Sequence, residues 1–264
     1  MFRRLTQALR RLTRRIPGAG GDVPSSRETL FAHPAPQEDR PRPRPAARRA
    51  SARAARPTRY FDLHDDFRHP ARRELSDPVG PDGRKSDSVW LFTSGAPVEP
   101  PRGRLQVTPT PEGPPLDFSL AGAGLTPIVH ARAATVFREL APDDVQLLPV
   151  DVEGTREPYF VLVATRLVPC IDDRACAEAS RYTADEAPAE KVGHYRTVRG
   201  LRIDARKAAG VRVLRTWGWP VSLIVSEGIK EALEHAGVTG LRFAEVTAPP
   251  TPSRRRKARR KSRR

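Results

Sequence analysis

Five side chains able to hold a metal or move a proton stand close together near the start of the ordered-looking region: Asp62, His64, Asp65, Asp66 and His69. Zinc sites present their His and carboxylate ligands at characteristic helix-face or paired spacings. This spacing matches none of them, so the stretch reads as a solvated turn, with metal binding as the alternative. Cys170 and Cys176 are separated by five residues, which fits neither C-x₂-C nor a zinc knuckle. Cys170 reads as a small buried hydrophobe at a strand end. A nucleophilic cysteine needs a histidine beside it, and His130, His194 and His235 are candidates that only the fold can bring near. Gly122-Ala123-Gly124 lacks a third glycine and a preceding strand, and no phosphate loop ending in Gly-Lys-Ser/Thr is present, so neither nucleotide-binding pattern is met. Paired carboxylates stand on turns at Asp143-Asp144 and Asp172-Asp173. Nothing in the local sequence desolvates them, so a tuned acid–base pair is not expected. The expectation is a protein that is not an enzyme and holds neither cofactor nor metal.

The elements that must position these residues centre on Val221 to Val246. Val221, Leu223, Ile224 and Val225 read as a strand, and Ser226 stands where a helix N-cap belongs, its hydroxyl able to accept from the first free amides. Ile229, Leu233 and Ala236 then line one helical face, Gly237 ends the helix, and Leu241 and Phe243 alternate into a second strand. Shifting the chain by 96 positions lays Ile128-Val129 on Ile224-Val225, Phe137 on Leu233, and Val145, Leu147 and Val150 on Leu241, Phe243 and Val246. The fold class expected is α+β: a single domain with a duplicated strand–helix–strand module, flanked by disordered basic tails. Thr126-Pro127 is expected to cap and open the first helix. Ser88–Thr93 is expected as a strand, and Tyr159–Val168 as an apolar strand forming a hairpin with 145–152. Leu201 with Ile203, and Val211 to Leu214, read as further strands. Residues 171–196 read as an irregular surface excursion rich in acids.

The net charge of +16 is concentrated at the ends. Residues 1–59 hold 15 Arg against 4 acids, and 249–264 hold 9 Lys and Arg with no acid. Of the 47 basic and 31 acidic residues, 23 and 27 remain in 60–248, a mildly acidic middle. The expected organisation is a disordered Arg/Pro-rich extension over 1–58, a folded domain over 59–248 and a disordered basic tail over 249–264. Within the extension, Phe2, Leu5, Leu9, Leu12 and Ile16 fall on one face of a basic amphipathic helix over 1–16. Such a helix can lie on an anionic membrane surface, and the basic tails can contact phosphate non-specifically. No span has the roughly 20 apolar residues of a membrane crossing. With two cysteines and no secretory segment, the expected location is the cytoplasm.

Leu116-Asp117-Phe118, Pro127-Ile128-Val129, Phe137-Arg138-Glu139-Leu140, Asp144 to Val150, Ile224 to Glu227 and Gly240 to Phe243, in this order and spacing, resemble the eleventh immunity-protein family of bacterial polymorphic toxin systems. The resemblance covers roughly 59–247. It implies an α+β domain that binds and neutralises a cognate toxin encoded nearby, without chemistry of its own. Where the family usually reads Leu-Ser, this chain has Val129-His130, which weakens the cap of the first helix. A mildly acidic domain suits a basic partner: Asp143, Asp144, Asp151, Glu153, Asp172 and Asp173 are the candidate toxin-binding residues, steering association with a positively charged active site. The rival readings are a nucleic-acid-associated protein using its basic tails, and an enzyme using the His64 region or Cys170.

Overall fold

A computed structural model describes residues 58–247. The expectations for the two tails, including the helix at 1–16, lie outside these residues. The chain runs through β1 (Tyr60–Asp65), β2 (Glu74–Leu75), β3 (Leu105–Val107), β4 (Pro109–Thr110), β5 (Phe118–Ala121) and β6 (Thr126–His130) into α1 (Ala131–Leu140). It continues with β7 (Val145–Val152), β8 (Tyr159–Ala164), β9 (Leu167–Val168), β10 (Glu178–Arg181), β11 (Tyr195–Arg199), β12 (Val213–Thr216) and β13 (Trp219–Ser226). Helix α2 (Glu227–His235) and β14 (Leu241–Glu245) complete the described chain. Strand makes up 36% and helix 13%, so the unit is mostly β with two helices, and α+β holds in its broad sense.

The strands form a seven-stranded sheet, β3-β7-β8-β6-β5-β2-β4, a five-stranded sheet, β14-β1-β13-β12-β9, and the small hairpin β10-β11. Between the two large sheets lies the main core. Phe61, Leu63, Val213, Leu223 and Val225 come from one sheet, Phe118, Val129 and Leu162 from the other, and Phe137, Ile229 and Leu233 from the two helices. The opposite face of the seven-stranded sheet buries Leu148, Val150, Tyr159, Val161 and Val163 under Phe92. A sheet covered on both faces needs apolar residues at successive positions, which is why Tyr159 to Ala164 carries no polar alternation. The outer face of the five-stranded sheet buries Tyr60, Leu214 and Ile224 with Cys170, Ile203 and Val246.

The two strand–helix–strand units share element order, spacing and strand placement. Their helices begin at Ala131 and Glu227, and their second strands at Val145 and Leu241. In each, the two parallel strands are separated by a third that is antiparallel to both: β8 between β6 and β7, β1 between β13 and β14. Phe160 lies opposite Val129 and Pro149, as Phe61 lies opposite Val225 and Glu245. Tyr-Phe-x-Leu therefore recurs at 60–63 and 159–162, with the strand entering from the N-terminal side in one unit and following in the other. Both tyrosines anchor to the backbone just ahead of their hairpins: the Tyr159 hydroxyl donates to Pro115 O at 3.0 Å, and the Tyr60 hydroxyl reaches Ala208 O at 2.7 Å and Val211 O at 3.0 Å. Each helix–strand turn also caps the other unit. Asp144 accepts from the amides of Arg212 (2.7 Å) and Val213 (3.4 Å), while Thr239 accepts from those of Asp117 and Phe118, both at 3.1 Å.

Several expectations are corrected. Ser88–Thr93 is a turn leading into a 3-10 helix over Leu91–Thr93, because the Ser88 hydroxyl accepts from Trp90 N and its carbonyl from Leu91 N, the local turn chemistry of serine. Thr126-Pro127 belongs to β6; Pro127 lies just before the residues that pair with β8, where a missing N–H is tolerated. The first helix is capped instead by His130, whose Nδ1 accepts from Arg132 N at 3.3 Å, so the absence of serine there leaves no uncapped end. Ser226 does occupy the N-cap of α2, but its hydroxyl makes no cap bond; the Arg59 carbonyl accepts from Glu227 N at 2.9 Å instead. The excursion over 171–196 contains β10 and leads into β11. Leu201 and Ile203 form no strand, Ile203 making a single bridge to Ile171.

Candidate functional site

The six candidate acids occupy three separate places. Asp143 and Asp144 stand on the α1–β7 turn; Asp143 is exposed and Asp144 is buried, its carboxylate holding the start of β12 as described and lying 3.8 Å from Arg166. Asp151 and Glu153 lie at the far end of β7, where Asp151 accepts from Arg104 at 2.6 Å and Glu153 from the Thr108 hydroxyl at 2.9 Å. Asp172 closes its own turn by accepting from the amides of Arg174 and Ala175. Asp173 pairs with Arg181 at 3.2 Å and accepts from the Tyr195 hydroxyl; burial and this bond push that phenol well above its ordinary range. Asp144 is thus internal, and four of the other five are already engaged within the chain.

The remaining chemical candidates separate as well. Asp62, His64 and Asp65 lie on β1 and not in a turn. Among the described residues, no group of three or more His, Cys, Asp or Glu is placed to hold a metal. A strand does precede Gly122, but the glycine turns β5 back into antiparallel β6, which offers no helix N-terminus to a phosphate. Cys170 is fully buried, and burial pushes its thiol up to about 11, far from a reactive thiolate. Cys176 Sγ accepts from Arg202 N at 3.3 Å. His130 packs on Tyr159, and His194 on Trp217.

The structure adds a recess that sequence reasoning missed. Strand β1 pairs with β13 only over Tyr60–Asp62, then parts from it while continuing alongside β14. The wedge so opened is a cavity of about 420 Å³ whose lining includes Asp62, His64, Arg202, Arg215 and Ser222. Arg215 is 1% exposed, and only its Nη1 finds a partner, the Val221 carbonyl at 3.0 Å. Its Nε and Nη2 are unpartnered among the described residues, as are Asp62 Oδ1 and Arg202 Nε. Burial lowers the Arg215 guanidinium to about 10, with Asp62 opposing the shift; the group stays charged at neutral pH. Asp62 Oδ2 accepts from the Ser222 hydroxyl at 3.1 Å and lies 3.3 Å from His64 Nε2, and that bond raises the histidine pKa against the effect of burial. The local signal is weak: Arg215 follows Val213-Leu214 in a strand, but Arg212 stands in the same segment and the sequence does not tell the two apart.

The fold defines a mostly β protein of two like units, with a recess beside β1 and β13 whose lining also includes Leu120 and Leu125 of the other unit. The model of an immunity protein family, Imm11, matches residues 45–248, and the chain belongs to that family. Among curated proteins, none matches this sequence. No helix among the described residues is long and apolar enough to cross a membrane.

Proposed function

We propose that this chain is an immunity protein that binds and neutralises a cognate bacterial toxin encoded nearby, in the cytoplasm, by occupying it and without catalysis. The observation that carries this reading is family membership across residues 45–248. An exposed apolar group supports it: Val89, Trp90, Leu91 and Leu125 are each 37–47% exposed, and the Val89 carbonyl packs directly over Gly124, beside Leu125. An accessible tryptophan among aliphatic neighbours is the usual anchor of a protein interface. We assign the energetic centre of toxin binding to this group, with Asp143, Asp151, Glu153, Asp172 and Asp173 as outlying charges that steer encounter. The two units descend, in this reading, from one duplicated strand–helix–strand module that includes the permuted Tyr-Phe-x-Leu strand.

The test is co-expression of the full chain with the toxin from the adjacent reading frame, scoring growth and co-purification. Rescue with a stable complex is expected. Trp90→Ala should weaken the complex by about 2 kcal/mol or more, and charge reversal at Asp172 and Asp173 should slow association in low salt with little change at high salt. Persistent toxicity without a complex refutes the reading. Retention of the chain on DNA or anionic vesicles, abolished when 1–58 and 249–264 are removed, would then assign the activity to the basic tails.

A further inference from the structure

Leu125 holds a backbone conformation that its side chain does not favour. Its φ is +50, and among the described residues every other positive φ belongs to a glycine. A leucine in the left-handed region brings its Cβ against the following carbonyl oxygen, a cost that glycine escapes. The side chain gives the fold little in return: it is 42% exposed and belongs to none of the three cores. It lines two recesses, the one of about 420 Å³ beside β1 and β13 and another of about 280 Å³ beside Asp65, Arg72 and Leu75, so open volume adjoins it in both.

The conformation persists because distant segments fix the β5–β6 turn from outside. Gly122 N donates to the Leu75 carbonyl at 2.8 Å, Ala123 N donates to Asp77 Oδ1 at 2.9 Å, and Leu125 N closes the turn on the Gly122 carbonyl at 3.3 Å. The Val89 carbonyl lies so close over Gly124 that a Cβ there would sit 1.8 Å from it. Thr126 then enters β6, opposite Ala121. Backbone strain that the surroundings over-determine in this way clusters at sites that bind or switch. Here it fixes where an apolar side chain leaves the backbone, on a turn packed against the segment that carries Val89 and Trp90. A partner is thereby spared the entropy of ordering that side chain.

We infer that Leu125 is the pre-organised anchor of the toxin interface, retained at a cost in stability, and that the part of the toxin it enters is an apolar socket. This assignment rests on the immunity reading and deepens it by naming the residue on which the fold spends strain. The socket must be apolar because leucine offers no hydrogen bond, and polar groups desolvated against it would be left unpaired. The consequence that sets this role apart from a packing role is one of opposite signs: loss of the side chain relieves the free chain and weakens the complex.

The test measures the thermal midpoint of the full chain and its Kd for the product of the adjacent reading frame, in the wild type and in Leu125→Gly, Leu125→Asn and Leu125→Met. Glycine and asparagine both tolerate a positive φ, and neither fills an apolar socket. These two variants are expected to keep or raise the midpoint while weakening the complex roughly tenfold or more. Leu125→Met, which keeps the apolar volume, should bind within about threefold of the wild type. An unchanged Kd in the glycine and asparagine variants overturns the proposal and leaves the immunity reading standing, since a complex has then been measured. A midpoint lowered by several degrees in both variants also overturns it, because the side chain would then be serving the fold. Absence of any complex with the wild-type chain refutes the immunity reading and this proposal together.

Discussion

Asp144 shows how a side chain's neighbours decide its role. It follows Asp143 on the same turn, and from sequence the two look alike, yet one faces solvent and the other accepts two backbone amides at the start of β12. Removing a carboxylate that satisfies buried amides leaves those donors without a partner, a penalty of about 1–3 kcal/mol. Asp144→Ala should therefore lower stability to denaturant by about that amount, whereas Asp143→Ala should change it by less than about 0.5 kcal/mol. Equal effects would mean that the turn is held by something other than Asp144. Neither the pairing of Asp144 nor that of Asp62 with Ser222, 160 positions apart, was legible in the sequence, because both partners come from distant segments. The apolar positions Phe137, Ile229 and Leu233 were legible, because helical periodicity reports burial locally.

At the scale of elements, the reciprocal contact of the two helix–strand turns joins the units alongside their shared core. Gly240, at φ +85, lets the second turn lie against β5: a Cβ there would sit 2.3 Å from the Phe118 carbonyl and 2.8 Å from Leu116 Cβ. Gly240→Ala meets both the left-handed backbone and the close approach, so it should destabilise by more than about 1 kcal/mol. Its measured consequence should be a lower denaturant midpoint with an unchanged slope. The sequence shift of 96 positions located both helices and the strands that follow them. The Thr126-Pro127 pattern, read separately, misplaced the first helix start, because proline's usual place at the head of a helix was outweighed by pairing of β6 with β5. The shift also left out the third strand of each unit, since Tyr60–Leu63 comes before one strand–helix–strand unit and Tyr159–Leu162 after the other.

At the scale of the molecule, β1 is the strand that closes the five-stranded sheet, pairing β13 on one side and β14 on the other. A chain beginning after Asp65 would leave two strand edges unpaired and remove Tyr60, Phe61 and Leu63 from two cores. It should lose cooperative unfolding and near-ultraviolet dichroism; retention of both would show that the strand is dispensable. By itself the sequence determined the mildly acidic middle of the chain, the amphipathic helices α1 and α2, the apolar hairpin of β7 and β8 and the family resemblance that the match over 45–248 bears out. All of these are carried by composition, period or order along the chain. Only the tertiary structure decided that β1 crosses to the C-terminal unit, that the candidate acids lie apart and are mostly engaged, and that Arg215 is buried with two of its guanidinium nitrogens unpartnered among the described residues. Those facts depend on which distant strands pair and where they part, and hydrophobic period does not encode that.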